Sequence, residues 1–175
     1  MFYKKKRSNP YLKSFVLLSF CLLISFFSRS QERISEVIQQ SKTASQKDNS
    51  LYFIDFWATW CAPCITVSKY LEVLQKQYPN RLYIVSLSQE SPDVINRFFK
   101  KHKTDLAVAL DYEGETFKKY NVHSLPYGVL LNASGDVLWE GHPANFKSYH
   151  VNKFSRNNTK KTAFKNMFKV VLKKQ

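Results

Sequence analysis

Acidic side chains are absent from both ends of this 175-residue chain. Residues 1–30 carry six basic groups and residues 144–175 carry nine, with no Asp or Glu in either stretch. The formal net charge of +14 therefore belongs to the termini, and the middle of the chain is nearly neutral, which argues against a nucleic-acid binder. An apolar run of membrane-spanning length is lacking as well. Residues 14–27 (SFVLLSFCLLISFF) number fourteen, short of the roughly 20 that a span needs. This run follows the basic KKKRSNPYLK and precedes the small-residue sequence SRS, so residues 1–30 read as a signal peptide. An uncleaved membrane anchor is the alternative, because Ser-Arg-Ser is a mediocre cleavage site. What remains is long enough for one compact domain of mixed structure and too short for two; no internal repeat is present.

Cysteine is scarce, with three in the chain. Cys21 lies within the signal run, where Phe20 precedes it in place of the small residue that lipid attachment requires, and it reads as apolar filler. The exported part retains only Cys61 and Cys64. A structural zinc site needs four ligands, and His102, His123, His142 and His150 are scattered singly, so no metal is expected. A disulfide between residues so close in sequence closes almost no loop and would add little stability. The pair points to chemistry, and in an oxidising compartment that chemistry is thiol–disulfide exchange.

The surrounding pattern supplies a frame. RISEVIQQ (33–40) has apolar residues at helical spacing and predicts an N-terminal helix, followed by a polar linker to residue 49. YFIDFWA (52–58) reads as a strand buried on both faces. From the cysteines onward Val67, Tyr70, Leu71, Leu74 and Tyr78 mark a helix, with Pro63 in its first turn, where a missing N–H costs nothing. LYIVSL (82–87) predicts a strand, and SPDVINRFFKKH a helix capped by Ser91. LAVAL (106–110) predicts a further strand and TFKKYN a short helix, before a hairpin of YGVLL and VLWE across NASGD. This order is that of an α/β sandwich with a parallel portion and an antiparallel edge.

The sequence W-C-A-P-C after an apolar strand, with SLPYGVLLNASGDVLWEG downstream, resembles the thioredoxin superfamily. The extra strand and helix between Ser91 and Val122 make it most similar to the TlpA/ResA-like exported thiol–disulfide oxidoreductases. The resemblance covers about residues 50–154, and the domain is taken as 50–156. It implies a thioredoxin-like sandwich, a central mixed sheet flanked by helices with a strand–helix insertion. It also implies a disulfide between Cys61 and Cys64, no cofactor, and a cis peptide bond at Leu125–Pro126 opposite the cysteines, where substrate backbone pairs.

A thiolate at a helix N-terminus is stabilised by free N–H groups and by the positive end of the helix dipole. Cys61 is thus the expected nucleophile, accessible beyond the first turn, and Cys64 the buried resolving thiol. Asp55 is an acid in an apolar strand; burial raises its pKa and suits it to accept the proton that Cys64 must lose. Thioredoxins place a lysine near this acid where the present chain has Ser86. Glu90 matches an active-site glutamate of ResA-like proteins, although by itself it is a loop acid before a helix. The resemblance implies that Trp60 and Pro63 lie beside the cysteine sulfurs on the substrate side, and Trp57 is read as packing.

Ala-Pro between the cysteines lacks the histidine of strongly oxidising members, which points to a reductant at roughly −200 to −280 mV. The expected clients are disulfide-containing envelope proteins, with an upstream electron donor that is membrane-bound in one version. A disulfide oxidase or isomerase is the alternative, and a non-enzymatic docking module a third reading. The chain is read as a monomer of the periplasm or cell envelope. In the tail (157–175) Ala163, Phe164, Met167, Phe168 and Val171 share one helical face between lysines, a pattern suited to an anionic membrane or an acidic groove. A solvated terminus is the competing reading.

Overall fold

The computed structural model describes residues 34–47 and 50–155. The signal-peptide and tail readings lie outside the described residues. Six strands form one mixed sheet: β1 (Glu36–Gln39), β2 (Leu51–Phe56), β3 (Leu82–Ser88), β4 (Ala107–Leu110), β5 (Tyr127–Leu131) and β6 (Val137–Gly141), in the spatial order β1-β4-β3-β2-β5-β6. β2, β3 and β4 run parallel, whereas β1, β5 and β6 join their neighbours antiparallel. The helices among the described residues are α1 (Ala62–Gln77), α2 (Pro92–Lys101), α3 (Glu115–Lys119) and α4 (Ser148–Ser155), with a 3-10 turn at Pro143–Asn145.

Parallel neighbours need a crossover, and α1 and α2 supply the two crossovers on one face of the sheet. β2 is central and buried at all six positions. Its alternation divides the core: Leu51 and Phe53 meet Val67, Leu71 and Leu74 of α1, with Val151 of α4 in the same cluster. Tyr52, Ile54 and Phe56 face the other way, toward Phe117 of α3 and Tyr120. The predicted strands and hairpin are in place, and the thioredoxin-like sandwich with its inserted unit is the observed architecture.

The N-terminal segment departs from the helix predicted over 33–40. Its described part is β1, an edge strand paired with β4 through Glu36↔Leu110 and Val37↔Ala109. Val37 packs on the cluster that includes Phe56, and the adjacent Ile38 packs on the cluster around Trp57. Two consecutive apolar residues with opposite destinations are what a strand provides and a helix does not. Residues 41–43 are not a loose linker either. Gln75 of α1, fully buried, donates to Ser41 Oγ at 2.7 Å and Thr43 Oγ1 at 3.0 Å while accepting from Ile84 N at 2.7 Å. The domain thus includes residues before 50. Ser91 stands at the N-cap of α2, but its hydroxyl makes no capping bond; Pro92 and Asp93 open that helix.

Gly128 is dictated by its neighbour across β2 and β5. A Cβ there would lie 2.4 Å from Phe53 Cζ, and Phe53 is held by Phe146 at a ring-centroid distance of 4.6 Å. Gly128→Ala should therefore lower stability by about 1–3 kcal/mol, the usual cost of overpacking. Urea denaturation should show that cost shrinking in a Phe53→Leu background; an equal loss in both backgrounds would remove the clash as its cause.

Candidate active site

The C-terminal end of β2 runs through Trp57 and Ala58 into a turn at Thr59–Trp60, and α1 begins immediately after it. Cys61 is the N-cap of α1, in extended backbone with φ −86° and ψ 90°. Its Sγ accepts from Cys64 N at 3.3 Å, so any charge on this sulfur meets a backbone N–H at the positive end of a helix. Cys61 and Cys64 form a disulfide with their Cα atoms 5.2 Å apart. Pro63 lies in the first turn of α1 and is exposed.

Both cysteines are buried, Cys61 at 4% exposure and Cys64 at 1%, so the accessibility expected of Cys61 is not present in this oxidised form. Cys61 Sγ is bonded to the sulfur of Cys64, which is buried in the core. The pair packs with Trp57, Ala58, Ile95 of α2, and Val108 and Leu110 of β4, while Leu125 closes over the same cluster. Trp57 is a packing residue, its ring 5.4 Å from Phe98 and 5.6 Å from Phe99. Trp60, by contrast, is 74% exposed. The Leu125–Pro126 peptide bond is cis, Pro126 is buried and Leu125 half-buried.

Asp55 is fully buried on the α1 face of the sheet, opposite Ser86 of β3 and Gly128 of β5. Its Oδ2 accepts from Ser86 Oγ at 3.2 Å and from Ser68 Oγ at 3.4 Å. Oδ1 has no hydrogen-bond partner among the described residues. Ser68 follows Cys64 by one helical turn, which places the carboxyl beneath the helix face that carries Cys64. Burial pushes the Asp55 carboxyl up from its ordinary 3.8 to about 7, and the bonds from Ser86 and Ser68 only partly offset it. Two hydroxyls stabilise the carboxylate without neutralising it, which is the consequence of serine at position 86.

Glu90 is more than a loop acid in this structure. Its Oε2 accepts from Thr59 N at 2.7 Å and its Oε1 from Thr59 Oγ1 at 2.6 Å. Ser88 Oγ also donates to Oε2 at 3.2 Å. Glu90 thus clamps the turn that presents Trp60 and Cys61. Thr59 and Ser68 are site residues that sequence reasoning missed. Ser68 has a signal in retrospect, its i+4 relation to Cys64; Thr59 has none, because its partner is 31 residues away. Among the described residues no group of three or more His, Cys, Asp or Glu side chains is placed to hold a metal ion.

A model of the AhpC/TSA family matches residues 28–139. The chain is 33% identical over 90 residues to the thiol–disulfide oxidoreductase ResA of Bacillus thuringiensis subsp. konkukian, covering 50% of this chain and 52% of that protein. It is 29% identical over 89 residues to the sporulation thiol–disulfide oxidoreductase A of Bacillus subtilis, covering 48% and 54%. The chain spans about half the length of the curated relatives it matches. Among solved structures, a thioredoxin-like protein from Aeropyrum pernix superposes with a TM-score of 0.56 at 14% identity, covering 83% of this chain and 99% of that one. A thiol–disulfide oxidoreductase from Bacteroides fragilis superposes with a TM-score of 0.50 at 22% identity, covering 62% and 80%. At such identities the superpositions establish the fold.

The carboxyl of Asp55 makes stability depend on pH in a defined direction. Below pH 3.8 it is protonated in both folded and unfolded chains and contributes nothing. Between 3.8 and about 7 the folded state keeps a proton that the unfolded chain releases, so stability falls as pH rises. At about 1.4 kcal/mol per pH unit, the loss is on the order of 4 kcal/mol above neutrality. Asp55→Asn should abolish this slope and be the more stable protein at pH 8. Denaturation midpoints of parent and variant measured from pH 4 to pH 8 test it, and parallel curves would contradict the burial argument.

Proposed function

The chain belongs to the AhpC/TSA family, and we propose that it is an exported thiol–disulfide oxidoreductase that reduces disulfides of other envelope proteins. The observation that carries this reading is the redox pair at the N-terminus of α1, set above a buried carboxyl that has no cationic partner among the described residues. In the reduced protein, the Cys61 thiolate attacks one sulfur of a substrate disulfide. A mixed disulfide forms and one substrate thiolate leaves. Cys64 then loses its proton to the Asp55 carboxylate and attacks Cys61 Sγ. The second substrate thiolate leaves, and the protein is oxidised to the Cys61–Cys64 disulfide. Two enzyme thiols have become a disulfide, and one substrate disulfide has become two thiols.

Each remaining residue has a part in this scheme. Glu90 holds Thr59 and so fixes the turn before the nucleophile. Trp60 and Pro63 offer exposed apolar surface beside Cys61, and the backbone at Leu125, ahead of Pro126, pairs with the extended substrate chain. Repeated turnover requires an upstream dithiol donor in the envelope to reduce Cys61–Cys64. The basic tail would add attraction to an anionic membrane. The Ala-Pro dipeptide and the uncompensated acid favour a reductant, and a measured reduction potential between roughly −200 and −280 mV would agree with it. A value near that of the strongly oxidising members, about −120 mV, would reverse the direction of the proposed reaction.

Cys64→Ser should accumulate client proteins as mixed disulfides on Cys61, whereas Cys61→Ser should accumulate none. Non-reducing gels of envelope extracts distinguish them, and equal trapping by both variants would exchange or dissolve the two roles. Asp55→Asn should slow disulfide reduction near neutral pH by about 10²-fold, the lower end of what acid–base assistance contributes, with little change in substrate affinity. An exchange rate that matches the parent from pH 6 to pH 9 would remove Asp55 from the mechanism.

A further inference from the structure

The two hydroxyls that hold the carboxyl of Asp55 also line a cavity. It is a partly open cavity of about 230 Å³ beside α1 and α2, with Trp57, Ile65, Phe98 and Phe99 as apolar wall and Ser68 and Ser86 as polar lining. A water molecule occupies about 30 Å³ in the liquid, so there is room for several, and the hydroxyls give them partners. We propose that this cavity is the route by which Asp55 exchanges its proton with solvent, with Ser68 and Ser86 as the positioning residues that hold the carboxyl and relay the proton. The inference rests on the reading of Asp55 as the acceptor of the Cys64 proton.

Asp55 is fully buried in a strand buried along its whole length, so a proton delivered to it needs a path outward. On the β5 side its neighbour is Gly128, which has no side chain to carry one. On the β3 side its neighbour is Ser86, and from α1 Ser68 reaches the same oxygen. A hydroxyl both donates and accepts, so it can take a proton on one lone pair while releasing its own. The charged and titratable groups around the path come from three places. α1 contributes Lys69 and Glu72, α2 contributes Lys101, and the residues just after it contribute His102 and Lys103. β3 and β5 contribute none at this level of the sheet. Glu72 is engaged by Thr104 Oγ1 and by Asp105 N, leaving a mouth of mainly positive sign.

The proton balance is complete without a further reagent. Cys64 gives its proton to Asp55 as its sulfur bonds to Cys61. Asp55 passes a proton through the hydroxyls and the cavity to water, and the departing substrate thiolate is protonated from solvent. The first attack, by Cys61, does not use this path.

The experiment separates these two steps by rapid mixing of the reduced full chain with a disulfide-linked model peptide. Release of the first peptide thiol reports Cys61 attack, and release of the second reports Cys64 attack. The double variant Ser68→Val, Ser86→Ala should slow the second release by at least about tenfold near pH 7, within the range that proton transfer contributes, and leave the first unchanged. The pH at which the second step reaches half its maximum should move upward, and Ser68→Thr, which keeps a hydroxyl, should retain the parent rate and profile. The single variant Ser68→Ala provides the same comparison should the double variant fold poorly. A parent-like second step and pH profile in the hydroxyl-free variants would overturn the route. If Asp55→Asn slows the second step while those variants do not, the route alone is wrong. If Asp55→Asn also leaves it unchanged, the reading of Asp55 has failed first.

Discussion

An acid with no countercharge among the described residues occupies the fifth of the six positions of the central strand, and the arrangement of the site follows from the cost of keeping it there. Transfer of a carboxylate out of water is expensive, and a buried carboxyl avoids the cost by staying protonated or recovers part of it through hydrogen bonds. Asp55 does both, with a pKa raised to about 7 and two serine hydroxyls on one oxygen. A lysine at position 86 would compensate the charge and pull the carboxyl back toward its ordinary range. Serine leaves the group titrating near neutrality, where a proton acceptor for a thiol is most useful.

The same constraint orders the elements around it. β2 and β3 are parallel, so the chain must cross over, and the crossover helix must start at the C-terminal edge of β2. That start is Cys61, whose sulfur meets Cys64 N. Four residues after Cys64, Ser68 returns to the strand the helix has just left and bonds the carboxyl near the strand's C-terminal end. Redox pair, helix N-terminus and buried acid are therefore linked by topology and not by three separate accommodations. Glu90 adds a second tie, from the loop after β3 to the turn before Cys61, so the parallel pair of strands carries both anchors of the motif.

How much of this was legible depends on how far each interaction reaches along the chain. The cysteines, Pro63 and the helix behind them are local, and their spacing declares them. Asp55 was legible as an anomaly, a charge where alternation and burial called for an aliphatic residue. Ser68 was not, because a serine on an amphipathic helix reads as solvent-facing until the strand beneath is known to hold an acid. The Thr59–Glu90 clamp depends on a strand pairing that brings distant loops together, which no periodicity encodes. β1 was misread for a related reason. Its four residues are too few to distinguish alternation from helical spacing, and only pairing with β4 assigns Val37 and Ile38 to opposite faces. The burial of Cys61 was hidden as well, since the cluster it joins draws on residues distant in sequence, among them Ile95 of α2, Val108 and Leu110 of β4, and Leu125 ahead of β5.

The sheet order also keeps two kinds of traffic apart. β5 follows the cis Leu125–Pro126 bond and lies on one side of β2, so a substrate chain that pairs at Leu125 as proposed would approach the cysteines from that side. β3, β4 and the helix α2 over them lie on the other side, and there the hydroxyls of Ser86 and Ser68 face a cavity with a cationic mouth. Gly128 makes the asymmetry strict: packing against Phe53 denies it a side chain, so β5 offers Asp55 no polar group. The strand–helix insertion, which at first sight only lengthens the fold, is what walls the second side.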